Sequence, residues 1–134
     1  MSRYWPRTGK VHIARAGHQH PLWVKNHCFQ ELTNNNGIPI GIDSEAEYEK
    51  VAFDLLPGES ILLVTGGITE AENEKGELFG NDRLTDYFKL ATGPPWSQGL
   101  LEKIDSWRGG AVMNDDLTIL ELWRDLPSNV VGPN

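Results

Sequence analysis

The chain has 134 residues, 39% of them hydrophobic and five of them Trp, which is enough for one domain that buries roughly two-thirds of its unfolded surface. A net charge of −7 and a pI near 5.0 exclude the clustered Lys and Arg that a nucleic-acid or anionic-membrane partner demands. No segment approaches the roughly 20 apolar residues of a membrane span, and the lone Cys28 cannot form an internal disulfide, so a reducing, cytoplasmic setting is expected, with Cys28 as a small core hydrophobe.

In chain order, Met1 runs straight into strand-like sequence, which reads as a cut boundary rather than a natural start. In "KVHIARA" (Lys10 to Ala16) Val11 and Ile13 share one face of a strand, and "PLWVKNHCFQEL" (Pro21 to Leu32) holds two further short apolar runs. "NNNG" (Asn34 to Gly37) is a loop. Val51, Phe53 and Leu55 alternate with Lys50, Ala52 and Asp54, a strand with one wetter face. Pro57 and Gly58 in "LPGES" bend the chain, and the apolar run Ile61 to Thr65 follows, so the two strands are expected to form an antiparallel hairpin.

The polar stretch from Glu70 to Gly80, rich in glutamate, reads as a solvated loop. Leu84, Tyr87, Phe88 and Ala91 then fall at i, i+3, i+4 and i+7, an amphipathic helix with a cap expected at Asn81 or Asp82. "GPP" (Gly93 to Pro95) ends it. Ser97 is placed to cap a second helix that turns Leu100, Leu101, Ile104 and Trp107 inward and stops at Gly109-Gly110. A last strand, Leu117 to Trp123, is reached through "NDD" (Asn114 to Asp116), and residues 127–134 read as a tail. Strands in the first half and helices in the second give an α+β class.

Few residues carry chemistry. Asp115 and Asp116 precede an apolar strand, a place for carboxylates that hold a hard cation such as Mg²⁺ or Mn²⁺, although adjacent aspartates there are more often a solvated turn. His12, His18, His20 and His27 lack the paired spacing of a zinc site, so no zinc is expected. Gly66-Gly67 is no phosphate-cradling loop, because no Lys-Ser or Lys-Thr follows. "AGH" (Ala16 to His18) reads as a hairpin turn steadied by a histidine hydrogen bond.

The ordered phrases "ARAGHQHPLWV", "GIPIGI", "LLPGESILLVTGGITEAEN", "GELFGNDRL" and "NDDLTILEL" resemble the C-terminal half of the sporulation stage II protein E (SpoIIE) type of metal-dependent serine/threonine phosphatases, in the PPM family. The resemblance implies part of an α/β/β/α sandwich with antiparallel sheets, covering residues 1–126 and lacking the N-terminal half with its first metal motif. It implies two Mn²⁺ or Mg²⁺ ions that activate water against a phosphoserine or phosphothreonine, and a partner of the anti-anti-sigma type in bacterial sigma-factor and stress signalling. On that resemblance Asp115 matches a metal-binding aspartate, with Asp116 and Thr118 as its motif neighbours. The family's Thr-Asp-Gly falls on Thr65, Gly66 and Gly67, so a second metal ligand is replaced by Gly66, and Glu70 and Glu72 lie too far along the loop to take its place. The chain alone is therefore expected to be catalytically silent, with no assigned catalytic residue. The alternative is a degenerate, pseudophosphatase-like module for protein binding or oligomerisation, with a homodimer formed through unpaired strand edges.

Overall fold

The computed structural model describes residues 1–33, 37–112 and 116–128. Among the described residues, seven strands and two helices follow the order β1 (Ser2–Trp5), β2 (Lys10–Ala14), β3 (Leu22–Lys25), β4 (Cys28–Glu31), β5 (Lys50–Asp54), β6 (Ser60–Thr65), α1 (Gly80–Leu90), α2 (Ser97–Arg108) and β7 (Thr118–Trp123). All pairings are antiparallel, in a three-stranded sheet β1-β2-β5 and a four-stranded sheet β4-β3-β6-β7. The class is α+β, as the alternation of periods implied.

β6 explains the layering. Its side chains alternate between two cores because period 2 sends successive residues to opposite faces. Ile61 and Leu63 point at the smaller sheet and join Val11, Ile13, Phe53 and Leu55. Leu62 and Val64 point the other way and join Leu84, Phe88, Leu100 and Ile104 of the helices. A strand covered on both faces must be apolar throughout, which is why Ile61 to Val64 shows no polar alternation. The described layers are therefore sheet, sheet and helices, one helical layer rather than the two of an α/β/β/α sandwich.

The expected hairpin between residues 51–55 and 61–65 does not form. β5 pairs with β2 and β6 with β3 and β7, so the "LPGES" bend carries the chain from one sheet to the other. The buried Glu59 makes this crossing cohere, its carboxylate accepting the Leu56 N–H at 3.0 Å and the Trp23 indole N–H at 3.1 Å. Trp23 in turn lies against Phe53, ring centroids 4.5 Å apart, joining the two sheets. The Ala16 to His18 turn likewise links β2 to β3 across sheets instead of closing a hairpin, although His18 Nδ1 does lie 3.1 Å from the Gln19 carbonyl oxygen.

Three local expectations are corrected. Cys28 is exposed, because it opens β4, an edge strand entered through Asn26 and His27 at positive φ. α1 starts at Gly80, before Asn81 and Asp82, and has no side-chain cap; Arg83 donates instead to the Leu78 and Phe79 carbonyls at 3.1 Å each. Ser97 is the first helical residue of α2 rather than its cap. The cap comes from the last strand: Glu121 accepts the Trp96 N–H at 3.0 Å and the Ser97 N–H at 2.8 Å, satisfying two of the helix's orphan donors from 24 to 25 residues away.

Candidate functional site

The site is built where β6 and β7 end together. Their register opposes Thr65 to Thr118, and the Thr118 N–H donates to Thr65 Oγ1 at 3.0 Å. Gly66 turns the chain immediately after β6 with φ +72°, and a β-carbon there would stand 3.3 Å from the Asp116 carbonyl oxygen. Glycine alone adopts that backbone without penalty, and here the neighbouring strand entrance also crowds the position. Thr65, Gly66, Gly67, Asp116 and Thr118, singled out separately along the sequence, are therefore brought to one sheet end. Asp115 lies outside the described residues.

The acidic loop folds over this end. A β-carbon on Gly67 would lie 2.5 Å from Glu70 Oε2, so Glu70 returns to the strand end more closely than its place along the loop implies. Asn73 organises the tip by accepting the Lys75 and Glu77 N–H groups at 3.0 and 2.9 Å while its amide donates to Glu77 at 2.7 Å. Glu74 is not merely solvated: its Oε1 accepts the Gly110 N–H at 2.9 Å and ties the loop to the segment leaving α2. Nothing in the sequence marks Glu74 among its acidic neighbours, because its partner is 36 residues away.

Between loop and sheet end lies an open cleft of about 1120 Å³, lined by Gly66, Gly67, Glu70, Glu72, Asp116 and Arg108 among others. Of its charged lining, Glu70, Glu72, Glu74 and Asp116 are acidic and Arg108 is basic. Arg108 is engaged at the C-terminus of α2, donating to the Ala111 carbonyl at 2.9 Å. Among the described residues no three His, Cys, Asp or Glu side chains come together to hold a metal ion. The described donor set thus does not fit a two-metal centre, whose cations need several shared oxygen ligands. At the end of β6 the chain presents Gly66, which carries no ligating side chain.

In the helical core Phe88 meets Trp96 edge-on and Phe29 at a tilt, at centroid distances of 5.4 and 5.5 Å. The Tyr87 hydroxyl donates to the Trp96 carbonyl at 2.6 Å. Burial, with Glu121 and Glu102 nearby, raises the Tyr87 pKa above its ordinary 10.0.

Comparison with known proteins agrees with this architecture. The stage II sporulation protein E (SpoIIE) family matches residues 1–125. Protein IcfG of Synechocystis sp. is 24% identical over 123 residues, covering 87% of this chain and 19% of that protein. The phosphatase domain of SpoIIE from Bacillus subtilis superposes with a TM-score of 0.69 at 16% identity, covering 96% of this chain and 58% of that one. Its manganese-presoaked form gives 0.67 at 19% identity, with 94% and 55% covered. The RsbU and RsbW domains of Rv1364c from Mycobacterium tuberculosis give 0.65 at 24% identity, with 88% and 33% covered. The chain thus spans only part of each relative's length, and the structural likenesses show the fold. The order of motifs, the two-sheet fold and the match across residues 1–125 lead to one conclusion: the chain belongs to the SpoIIE family of phosphatase domains.

Proposed function

We propose that residues 1–126 are the C-terminal half of a serine/threonine phosphoprotein phosphatase domain of bacterial regulatory signalling, acting in the cytoplasm, and that this half alone is catalytically silent. Its partner on this reading is a phosphorylated regulatory protein of the anti-anti-sigma type, in partner-switching control of a sigma factor. Residues 127–134 form a tail outside the domain. The observation that carries the reading is Gly66: the strand end that would present a carboxylate presents a backbone turn, crowded by Asp116.

Electrostatics supports the silence. A phosphate dianion entering the cleft meets Glu70, Glu72, Glu74 and Asp116 with Arg108 as its nearest counter-charge, and carboxylates within a Debye length of about 8 Å repel it. In relatives of this family the missing neutralisation is attributed to Mn²⁺ or Mg²⁺; here Asp115 is the proposed surviving ligand, with Asp116, Thr118, Thr65 and Gly67 holding the loops around it.

The test is calorimetric titration of Mn²⁺ and Mg²⁺ into the chain and into its Asp115→Ala and Gly66→Asp variants, beside p-nitrophenyl phosphate hydrolysis. The expected result is no turnover by the chain, with any weak Mn²⁺ heat lost in Asp115→Ala and strengthened in Gly66→Asp. Metal-dependent turnover by the unaltered chain, abolished by Asp115→Ala, refutes the silent half.

A second reading, an oligomerisation module, has its own observation. β1 and β7 are edge strands of the two sheets, and an apolar gap of about 270 Å³ opens between them, lined by Tyr4, Val11, Leu63 and Leu120. Leu120 is 63% exposed there. Unpaired edges beside an apolar opening favour strand pairing with a second copy. Light scattering at high concentration checks this; a stable monomer removes the reading.

A further inference from the structure

α1 and α2 run antiparallel in one layer. Arg83 near the start of α1 meets Trp107 near the end of α2, and Tyr87, one turn on, meets Gly99 near the start of α2. Their 3.6-residue period turns Leu84, Phe88, Leu100 and Ile104 to the four-stranded sheet and leaves Arg83, Asp86, Leu90 and Lys103 exposed on the other side. There the two helices enclose a groove of about 640 Å³, lined by those four residues with Tyr87 and Trp107 among others. It faces away from both sheets, so a second helical layer on the three-stranded sheet does not cover it.

The two ends of the groove differ. At one, the Arg83 guanidinium lies over the Trp107 ring, Cζ 3.6 Å from the ring centroid, and Nη1 donates to the Leu78 and Phe79 carbonyls at 3.1 Å each. These contacts hold a planar cation in place while its other N–H groups remain to meet a carboxylate. Lys103 lines the same groove from α2, and among the described residues neither cation has an ion pair. At the other end Leu90 is 85% exposed beside Ala91. Between them Tyr87 crosses to α2, its hydroxyl donating to the Trp96 carbonyl at 2.6 Å past Gly99, where a β-carbon would stand 2.6 Å from that oxygen. The charged lining is two cations to one carboxylate, Asp86, on a chain whose net charge is −7.

We propose that this groove binds a short extended segment of a partner polypeptide that carries a carboxylate and a large apolar side chain on one face. The carboxylate pairs with Arg83 and Lys103, and the apolar side chain covers Leu90 against Ala91 and the Tyr87 ring. Arg83 and Leu90 are seven helical residues apart, about 10 Å, the length of three extended residues, and alternate residues of such a segment face the same way. A helix about 10 Å across needs a trough of its own width, whereas the walls here already touch through Tyr87 and Gly99, so the groove admits a single extended chain. The cationic excess selects an acidic segment, since a basic one meets Arg83 and Lys103 as like charges. The groove shares no lining residue with the Gly66 cleft, so the outcome does not depend on what that cleft binds.

The test follows the indole N–H resonances of the ¹⁵N-labelled full chain on titration with three eight-residue peptides: one with Glu and Leu two residues apart in a Ser/Thr background, one with Lys in place of Glu, and one with Ser in place of Leu. The Glu/Leu peptide is expected to shift the Trp107 signal to saturation with a Kd below about 1 mM, and the other two to bind at least about threefold more weakly. Lys103→Glu should weaken the Glu/Leu peptide about threefold and Leu90→Ser about tenfold. Both side chains are exposed, and an unchanged circular dichroism spectrum establishes that the variants fold; should either not fold, Lys103→Gln and Leu90→Ala are expected to weaken binding in the same direction. No saturable shift, equal binding of the three peptides, or full affinity in both folded variants overturns the proposal. Tighter binding of decanoate assigns the groove to a small amphiphile, and a Trp107 shift on dilution of the chain alone assigns it to a second copy; either result overturns the proposal as well.

Discussion

Replacing Glu121 by Ala removes the two acceptors that hold the start of α2. The Trp96 and Ser97 N–H groups, at 3.0 and 2.8 Å from its carboxylate, are then left without their partner beside a core in which Trp96 is buried. A hydrogen bond to a charged group contributes about 1.5–3 kcal/mol and a helix N-cap about 0.5–2 kcal/mol. Glu121 is only half-buried, so solvent screens part of this, and about 2 kcal/mol in total is expected. At a urea slope of about 2 kcal/mol/M the midpoint falls by roughly 1 M, and the thermal midpoint falls by about 8 °C for a chain of this length. The assay is urea unfolding followed in parallel by circular dichroism and Trp fluorescence. Glu121→Gln, which keeps one carbonyl oxygen, should lose about half as much. A loss under about 0.5 kcal/mol for Glu121→Ala would refute the assignment of the strand carboxylate as the helix cap.

Tyr87→Phe removes one of two donors to the Trp96 carbonyl, which keeps the Leu100 N–H at 3.0 Å, and is expected to cost about 1 kcal/mol in the same urea assay. Because the folded Tyr87 pKa is raised, its stabilising contribution is complete below pH 10 and is lost as pH rises through the folded value; the parent but not Tyr87→Phe should show that alkaline loss. His12 behaves oppositely: its pKa is lowered, so its contribution is present above pH 6.5 and is lost as pH falls through the folded value, a slope that His12→Gln should reduce. Gly66→Ala forces a side chain into φ +72° and toward Asp116, and should cost about 1 kcal/mol in urea unfolding; an unchanged midpoint would remove the argument that the backbone there requires glycine. Ser60→Ala should be neutral or stabilising by up to about 1 kcal/mol, because Ser60 Oγ is buried without a hydrogen-bond partner, and a clear loss on unfolding would show that the hydroxyl is satisfied.

The positions of the helices and of most strands were legible because their signals are local. Leu84, Phe88, Leu100 and Ile104 are buried, as the 3.6-residue spacing implied, and Ile61 to Val64 read as a buried strand. Glu121 carries a signal of its own: it falls at period 2 from the inward Leu117 and Ile119, and a carboxylate at an inward position needs a partner. The motif neighbours Thr65, Gly66, Gly67, Asp116 and Thr118 were legible as motifs, yet their convergence was not, since 53 residues separate the hydrogen-bonded Thr65 and Thr118.

By itself, then, the sequence determined the α+β class, the approximate elements, the order of motifs that marks the family, and the glycine pair that ends the buried strand at Gly66. Tertiary structure alone decided that β5 and β6 enter different sheets, that Cys28 faces solvent, and that Glu74 and Glu121 fasten α2 at its two ends. Periodicity reports which face of an element is apolar, over a span of a few residues. Which other element meets that face is settled by packing and hydrogen bonds between residues tens of positions apart, which no local pattern encodes.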